Sequence, residues 1–416
     1  MPDSYVLDCR VFEVPRSFFP ACRRATAEDN HVPFYAKGGE FPQKRHIQFR
    51  RPDGELYTEE VMGMEGFSGI QSLLYHHYPP TSVSKVDSAP LEKVEWLDFG
   101  PLRGRQFKTT DFPAGGDPHE SRRTILGNSD VTLGLSRPTE SSKTFYRNGQ
   151  AYEVWYCHEG KGELTSQFGA NPFRPGDYIV IPYGTTWKME LDCKEARFLV
   201  IECPSQIAPP KRYRNKYGQL LEHSPFCERD INPPEFRGPL VERGEFPVHV
   251  KVRDAMHLHV MTHHPYDVVG WDGYLYPWTF NIEDFEPITG RVHQPPPVHQ
   301  TFEAHNFVVC SFCPRLFDYH PLSIPAPYNH SNVNSDEVLY YVDGDFMSRR
   351  GVDKYDWTLH PSGLPHGPQP GATEASIGKE KTEELAVMVD TFRPLQVAKG
   401  AVEFEDQSYA YSWAID

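Results

Sequence analysis

The sequence predicts a mainly β chain: two β-barrels in tandem behind a β-rich N-terminal extension, with few short helices. Three observations carry this. The chain of 416 residues holds 39 prolines and 31 glycines, a usage that suits many short strands joined by turns. A stretch repeats: Tyr146, Asn148, Glu153, Val154, Tyr156 and Gly160 fall in register on His330, Asn332, Glu337, Val338, Tyr340 and Gly344. Each copy is then followed by a turn rich in Pro and Gly, Pro182-Tyr183-Gly184 in the first and Pro361-Ser362-Gly363 in the second. A repeat of this size is one structural unit made twice.

The elements follow in order. Residues 1–120 form the β-rich extension, with strand-like pieces such as His46-Ile47-Gln48-Phe49-Arg50. Residues 121–234 hold the first barrel and a Pro-rich, basic connector, Ile207 to Tyr213. Residues 235–416 hold the second barrel and a tail ending in Tyr409-Ala410-Tyr411-Ser412-Trp413. Glu380 to Val389 is the best candidate for a short helix, or equally a loop entering a strand.

The second copy carries the chemistry. His330, Asn332, Glu337 and Gly344 meet the pattern His-x-(His or Asn)-x4-Glu-x6-Gly, and Pro361, Gly363 and His366 meet Pro-x-Gly-x2-His. Together these are the two-part signature of the cupin (jelly-roll-like) barrel. Alternation along a strand puts His330 and Asn332 on one face, and Pro361 and Gly363 permit the bend that returns His366. Two imidazoles and a carboxylate on one face, with other positions open, suit a mononuclear non-haem Fe(II) centre. Zinc or manganese would accept the same ligands. Asp336 is a rival carboxylate, but the repeat sets Glu337 opposite Glu153 and makes it the inward one. In the first copy Tyr146 and Trp187 stand where the imidazoles would be, so that barrel is expected to be metal-free and structural.

Bulk properties narrow the class. A net charge of −15 argues against nucleic acid as a partner, since phosphate binding needs a basic face. No run of about 18 apolar residues predicts a membrane span. The opening Met1-Pro2-Asp3-Ser4-Tyr5 lacks the basic and apolar regions of a signal peptide. Eight irregularly spaced cysteines read as reduced thiols, so a cytoplasmic location is expected. The Cys310-x2-Cys313 pair reads as strand packing.

Further histidines surround the signature. His293 lies in the stiff segment Gly290-Arg291-Val292-His293-Gln294-Pro295-Pro296-Pro297, and an imidazole near neutral pKa can take and return a phenolic proton. A surface-loop histidine is an equal reading of the same residues. His360 is a candidate to hydrogen-bond a substrate oxygen or a metal ligand. His299 and His305 are set aside, because nothing nearby in sequence constrains them.

Several segments resemble the homogentisate 1,2-dioxygenase family. They are His264-Pro265-Tyr266-Asp267-Val268-Val269-Gly270-Trp271-Asp272-Gly273, Pro327-Tyr328-Asn329-His330-Ser331-Asn332, Leu359-His360 and Pro365-His366-Gly367-Pro368, with Gly66-Phe67-Ser68-Gly69 in the early part. The resemblance implies a two-barrel cupin whose second half holds Fe(2+), the ion bound by His330, Glu337 and His366. It implies an oxidoreductase that opens the ring of homogentisate, or a close hydroquinone, with O2 to give maleylacetoacetate or its analogue in tyrosine and phenylalanine catabolism. It makes His293 the catalytic acid/base, places His360, Tyr328, Asn332 and Phe346 at the substrate, and implies a homo-oligomer, trimer or hexamer. This chain departs from the better-known members at three points. It has one more residue between the first His and the Glu, Phe346 stands where they carry a Tyr, and Asp343 stands at a position of arginine. A carboxylate arm also needs a cation, for which Arg349, Arg350 and Lys354 are nearby. Two other readings use the same motif, a metal-dependent cupin isomerase or hydrolase and a non-enzymatic ligand-binding bicupin.

Overall fold

A computed structural model describes residues 34–98, 100–346, 349 and 351–414. The opening Met1 to Tyr5, the first 33 residues of the extension and Arg350 lie outside the described residues. The chain is mainly β, its described residues arranged in four larger sheets and one two-stranded ribbon. The described residues hold one short α-helix, Ala372–Ser376, and several 3-10 turns. Among them no helix is long and apolar enough to cross a membrane.

Two seven-stranded sheets build the first barrel. One runs through Tyr152–Glu159, the other through Thr186–Leu191 and Gly162–Ser166. Tyr152–Glu159 is buried along almost its whole length, because sheet neighbours flank it on both sides and each of its faces packs on other elements. Trp155, Trp187 and Phe198 fill the interior, with Trp155 and Trp187 ring centroids 5.7 Å apart. The second barrel is a six-stranded sheet in the order Gln300–Ala304, Phe307–Phe312, Leu385–Thr391, Asp336–Asp343, Asp356–His360 and Arg105–Lys108. The repeat glycines mark equivalent corners. Gly160 and Gly344 both have φ +99°, and a Cβ on Gly344 would stand 2.1 Å from the Glu383 carbonyl oxygen, so a side chain there is strained as well as crowded.

Strand pairing departs from the sequence division at residue 235. Arg243–Val252 and Ala255–His263 extend a sheet of the first barrel, and Trp278–Asn281 pairs with Asp177–Ile181 there. Val268–Gly273 joins Ala36–Gly39 and Gln71–His76 in a four-stranded sheet of the N-terminal region. The repeat locates each barrel's motif, but partners are chosen by long-range pairing that local pattern does not encode. Glu380 to Val389 is no helix: Lys381–Thr382 and Leu385–Thr391 are strands, since Val387 and Val389 suit a buried central strand. His46 to Arg50 forms no strand and contributes a single bridge, Arg50 to Leu56.

Polar contacts join the units. His158 Nδ1 meets the Tyr340 hydroxyl at 2.6 Å, Tyr178 Oη meets Ser311 Oγ at 2.9 Å, and Tyr355 donates to Glu159. His76 pins the N-terminal sheet, with Nδ1 2.8 Å from Asp267 Oδ1 and Nε2 2.9 Å from Glu60 Oε2.

Candidate metal centre and its cavity

The strand Asp336–Asp343 sets the site by simple alternation. Glu337, Leu339 and Tyr341 face a cavity of about 350 Å3, while Val338 and Tyr340 join the core on the other side. Asp336 is the outward rival: its carboxylate is taken up by the backbone N–H groups of Ser362 (2.7 Å) and Leu395 (2.8 Å). The loops bearing the two imidazoles are tied to each other. His330 N–H donates to the His366 carbonyl at 2.8 Å and His366 N–H donates back at 2.9 Å, which brings the ring centroids to 4.3 Å.

Side chains then converge. His330 Nε2 and His366 Nε2 lie 3.5 Å and 3.4 Å from Glu337 Oε2, and one donor atom from each of the three residues falls within 4.8 Å of the others. Donors about 2.1 Å from one ion stand roughly 3.0–3.4 Å apart, so the spacing accepts a single metal. The tautomers agree. His330 Nδ1 sits 3.1 Å from the Tyr328 carbonyl and His366 Nδ1 3.3 Å from that of Leu364, so each Nδ1–H donates to backbone and each Nε2 turns a lone pair toward the carboxylate. His366 Nε2 is buried with no hydrogen-bond partner, an orphaned acceptor that a metal ion would satisfy.

The surroundings hold Glu337 ionised. Burial raises its pKa, but the imidazoles of His330, His360 and His366 gathered around the carboxylate outweigh that and bring it well below the usual carboxylate range. His330 is raised in return by Glu337. His360 lies behind the carboxylate, only 2% exposed. Its Nδ1 is 2.9 Å from Glu337 Oε1 and its Nε2 2.9 Å from the Tyr409 hydroxyl. Burial pushes it down to about 4, so a neutral ring donates to Glu337 and accepts from Tyr409. Both nitrogens of His360 are thus engaged, one by Glu337 and one by Tyr409.

His293, Tyr328, Asn332 and Phe346 all line the cavity. His293 is half exposed, with Nδ1 3.5 Å from Asp318 Oδ2 and its ring 4.9 Å from that of Tyr328. Phe346 packs on Tyr341 at 4.6 Å. Among the cation candidates Arg349 lines the cavity, its guanidinium donating to the Gly367 carbonyl at 2.6 Å and lying 5.7 Å from the Trp413 ring. Lys354 instead faces Glu159 at 3.3 Å.

Sequence reasoning missed three cavity or site residues. Tyr409 was read only as tail, yet it anchors His360. His299, set aside, is 7% exposed and lines the cavity. The 3-10 turn Pro296–His299 fixes it, and the proline run was the available signal. Asp390 also lines the cavity, its burial lifting the carboxyl to about 8. His305 is exposed and outside the cavity lining.

The equivalent place in the first barrel is occupied by a guanidinium. Glu153 is contacted by Arg122 Nη1 (3.0 Å), Asn148 Nδ2 (2.9 Å), Trp155 Nε1 (3.2 Å) and the Tyr146 hydroxyl (3.3 Å). A guanidinium thus supplies the positive charge that buried Glu153 requires.

Several known proteins resemble the chain in sequence. Residues 139–282 match the profile described as "Homogentisate 1,2-dioxygenase N-terminal". The chain is 43% identical over 384 residues to a protein of Saccharolobus solfataricus provisionally named a dioxygenase, covering 91% of this chain and 99% of that one. It is 26% identical over 358 residues to homogentisate 1,2-dioxygenase of Rhizobium etli, covering 78% and 74% respectively. Among solved structures, a cupin 2 conserved barrel domain protein from Leptotrichia buccalis matches with a TM-score of 0.30 at 11% identity, covering 65% of this chain and 88% of that one.

Proposed function

The chain belongs to the homogentisate 1,2-dioxygenase family, and from that premise we propose that it is an Fe(II)-dependent ring-cleaving dioxygenase acting on homogentisate or a close hydroquinone-type aromatic. The product is maleylacetoacetate or its analogue, and the place in metabolism is aromatic amino-acid catabolism. The observation that carries the reading is the convergence of His330, Glu337 and His366 within 4.8 Å on a cavity that also holds His293.

His330, Glu337 and His366 would hold the ion through Nε2, Oε2 and Nε2. Held there, a ferrous ion would supply Lewis-acid and O2 chemistry and would lower the pKa of a phenol. The protein's own groups do the rest. His293 reaches the cavity beside Asp318, whose carboxylate orients the ring, and would accept the phenolic proton and return it after cleavage. His360 keeps Glu337 in place and charged through Oε1. Arg349 puts a cation on the wall for an anionic arm. Tyr328, Asn332 and Phe346 close the sides of the ring. A cytoplasmic homo-oligomer completes the proposal.

The test is anaerobic loading of the full chain with Fe(II), then homogentisate in an oxygen electrode. One O2 consumed per homogentisate, with a ring-opened product, is expected. No O2 uptake with homogentisate or any related hydroquinone removes the reading and leaves an isomerase, hydrolase or binding role.

A further inference from the structure

The cavity is longer than one aromatic ring requires. A cavity of about 150 Å3 accepts benzene, and this one measures about 350 Å3. Its long axis follows from strand register. At the metal end Glu337 pairs with Asp390, and four residues along the same strands Tyr341 pairs with Ala386. Ala386 in turn pairs with Phe312. Four residues of antiparallel strand span about 13 Å. Leu339 and Met388 face the cavity between these two ends, so the stretch between them is apolar.

The far end is furnished for a ligand. His299 stacks on Phe312 with centroids 4.5 Å apart, is 93% buried, and its Nδ1 has no hydrogen-bond partner. A buried polar atom left unpaired is costly, a cost that a ligand able to complete the bond would remove. Burial, with the Arg315 and His293 charges, pushes this imidazole down to about 3, so it is neutral, with one nitrogen a donor and one an acceptor. The cation at this end is already answered: Arg315 pairs with Glu384 at 2.8 Å and donates to the Cys313 carbonyl at 3.0 Å. A carboxylate would find no uncompensated charge beside His299, whereas a hydroxyl would find its partner.

Resting on the dioxygenase reading above, we propose that the substrate is a hydroquinone-type aromatic with a second ring or equally long arm, whose remote uncharged hydroxyl hydrogen-bonds to His299. His299 is then a specificity-determining residue, and homogentisate fills only the metal half of the cavity.

The full chain, loaded with Fe(II) and kept free of O2, is titrated calorimetrically with homogentisate, 2-benzylhydroquinone and 2-(4-hydroxybenzyl)hydroquinone. The hydroxybenzyl probe is expected to bind at least tenfold more tightly than either of the others. His299→Phe, checked for unchanged melting, removes the difference between the two benzyl probes, and His299→Gln keeps part of it. Equal affinity of the two benzyl probes for the wild-type protein, or exclusion of both while homogentisate binds, overturns the proposal and leaves the dioxygenase reading standing. Failure of every hydroquinone to bind, together with no O2 uptake, overturns both.

Discussion

His76→Gln tests how the N-terminal sheet is fastened to the rest of the molecule. His76 is 4% exposed and lies between Asp267 and Glu60, at 2.8 Å and 2.9 Å. Burial alone would lower its pKa, but hydrogen bonds to Asp267 and Glu60 outweigh that and lift it from 6.5 to about 9. The folded form therefore holds the proton more tightly than the unfolded chain, and folding gains from it wherever the unfolded histidine is also protonated. A shift of that size corresponds to about 3 kcal/mol. The contribution is complete below pH 6.5 and is lost as pH rises through about 9. Gln keeps one donor but cannot charge. Urea unfolding of both proteins at several pH values between 6 and 10 measures the term, because groups unaffected by the change cancel in the difference. The wild-type advantage should shrink by about 3 kcal/mol between pH 6 and pH 10. A difference that stays constant with pH would refute the protonated clamp.

Other substitutions probe the site and its frame. His366→Ala should reduce bound metal from one per chain to almost none, read by elemental analysis, with an unchanged circular dichroism spectrum; full metal content would remove the ligand assignment. His360→Phe deletes the donor to Glu337 and should weaken metal affinity about 10–100-fold in chelator competition. Arg122→Met leaves Glu153 buried without its cation and should cost about 3–5 kcal/mol in denaturant unfolding, while Arg122→Met with Glu153→Leu should recover much of it. Gly344→Ala forces a Cβ to within 2.1 Å of the Glu383 carbonyl oxygen at φ +99° and should lower stability by about 1–3 kcal/mol.

What could be read in advance was what repeats or alternates. Asn148 on Asn332, Glu153 on Glu337 and Gly160 on Gly344 revealed two copies of one unit, and that register, with the pleat, separated Glu337 from Asp336. Strand exchange was not legible. Nothing local in Arg243–Val252 or Trp278–Asn281 says which barrel will claim them, because a strand's partner is set by register with residues far away. The setting of His299 was hidden for a related reason: the Phe312 ring on which it packs arrives from the next strand. Tyr409 reached His360 across 49 positions, a contact no spacing rule anticipates.

The six-stranded sheet bearing the candidate centre ends on Arg105–Lys108, whose partner Asp356–His360 lies far downstream. A fragment beginning after that segment would leave Trp357 and Leu359 on a bare β edge, an invitation to adhesive self-association. The half bearing the candidate centre is therefore no transplantable cassette: its border is stitched from sequence that precedes the other barrel, and both must be made together.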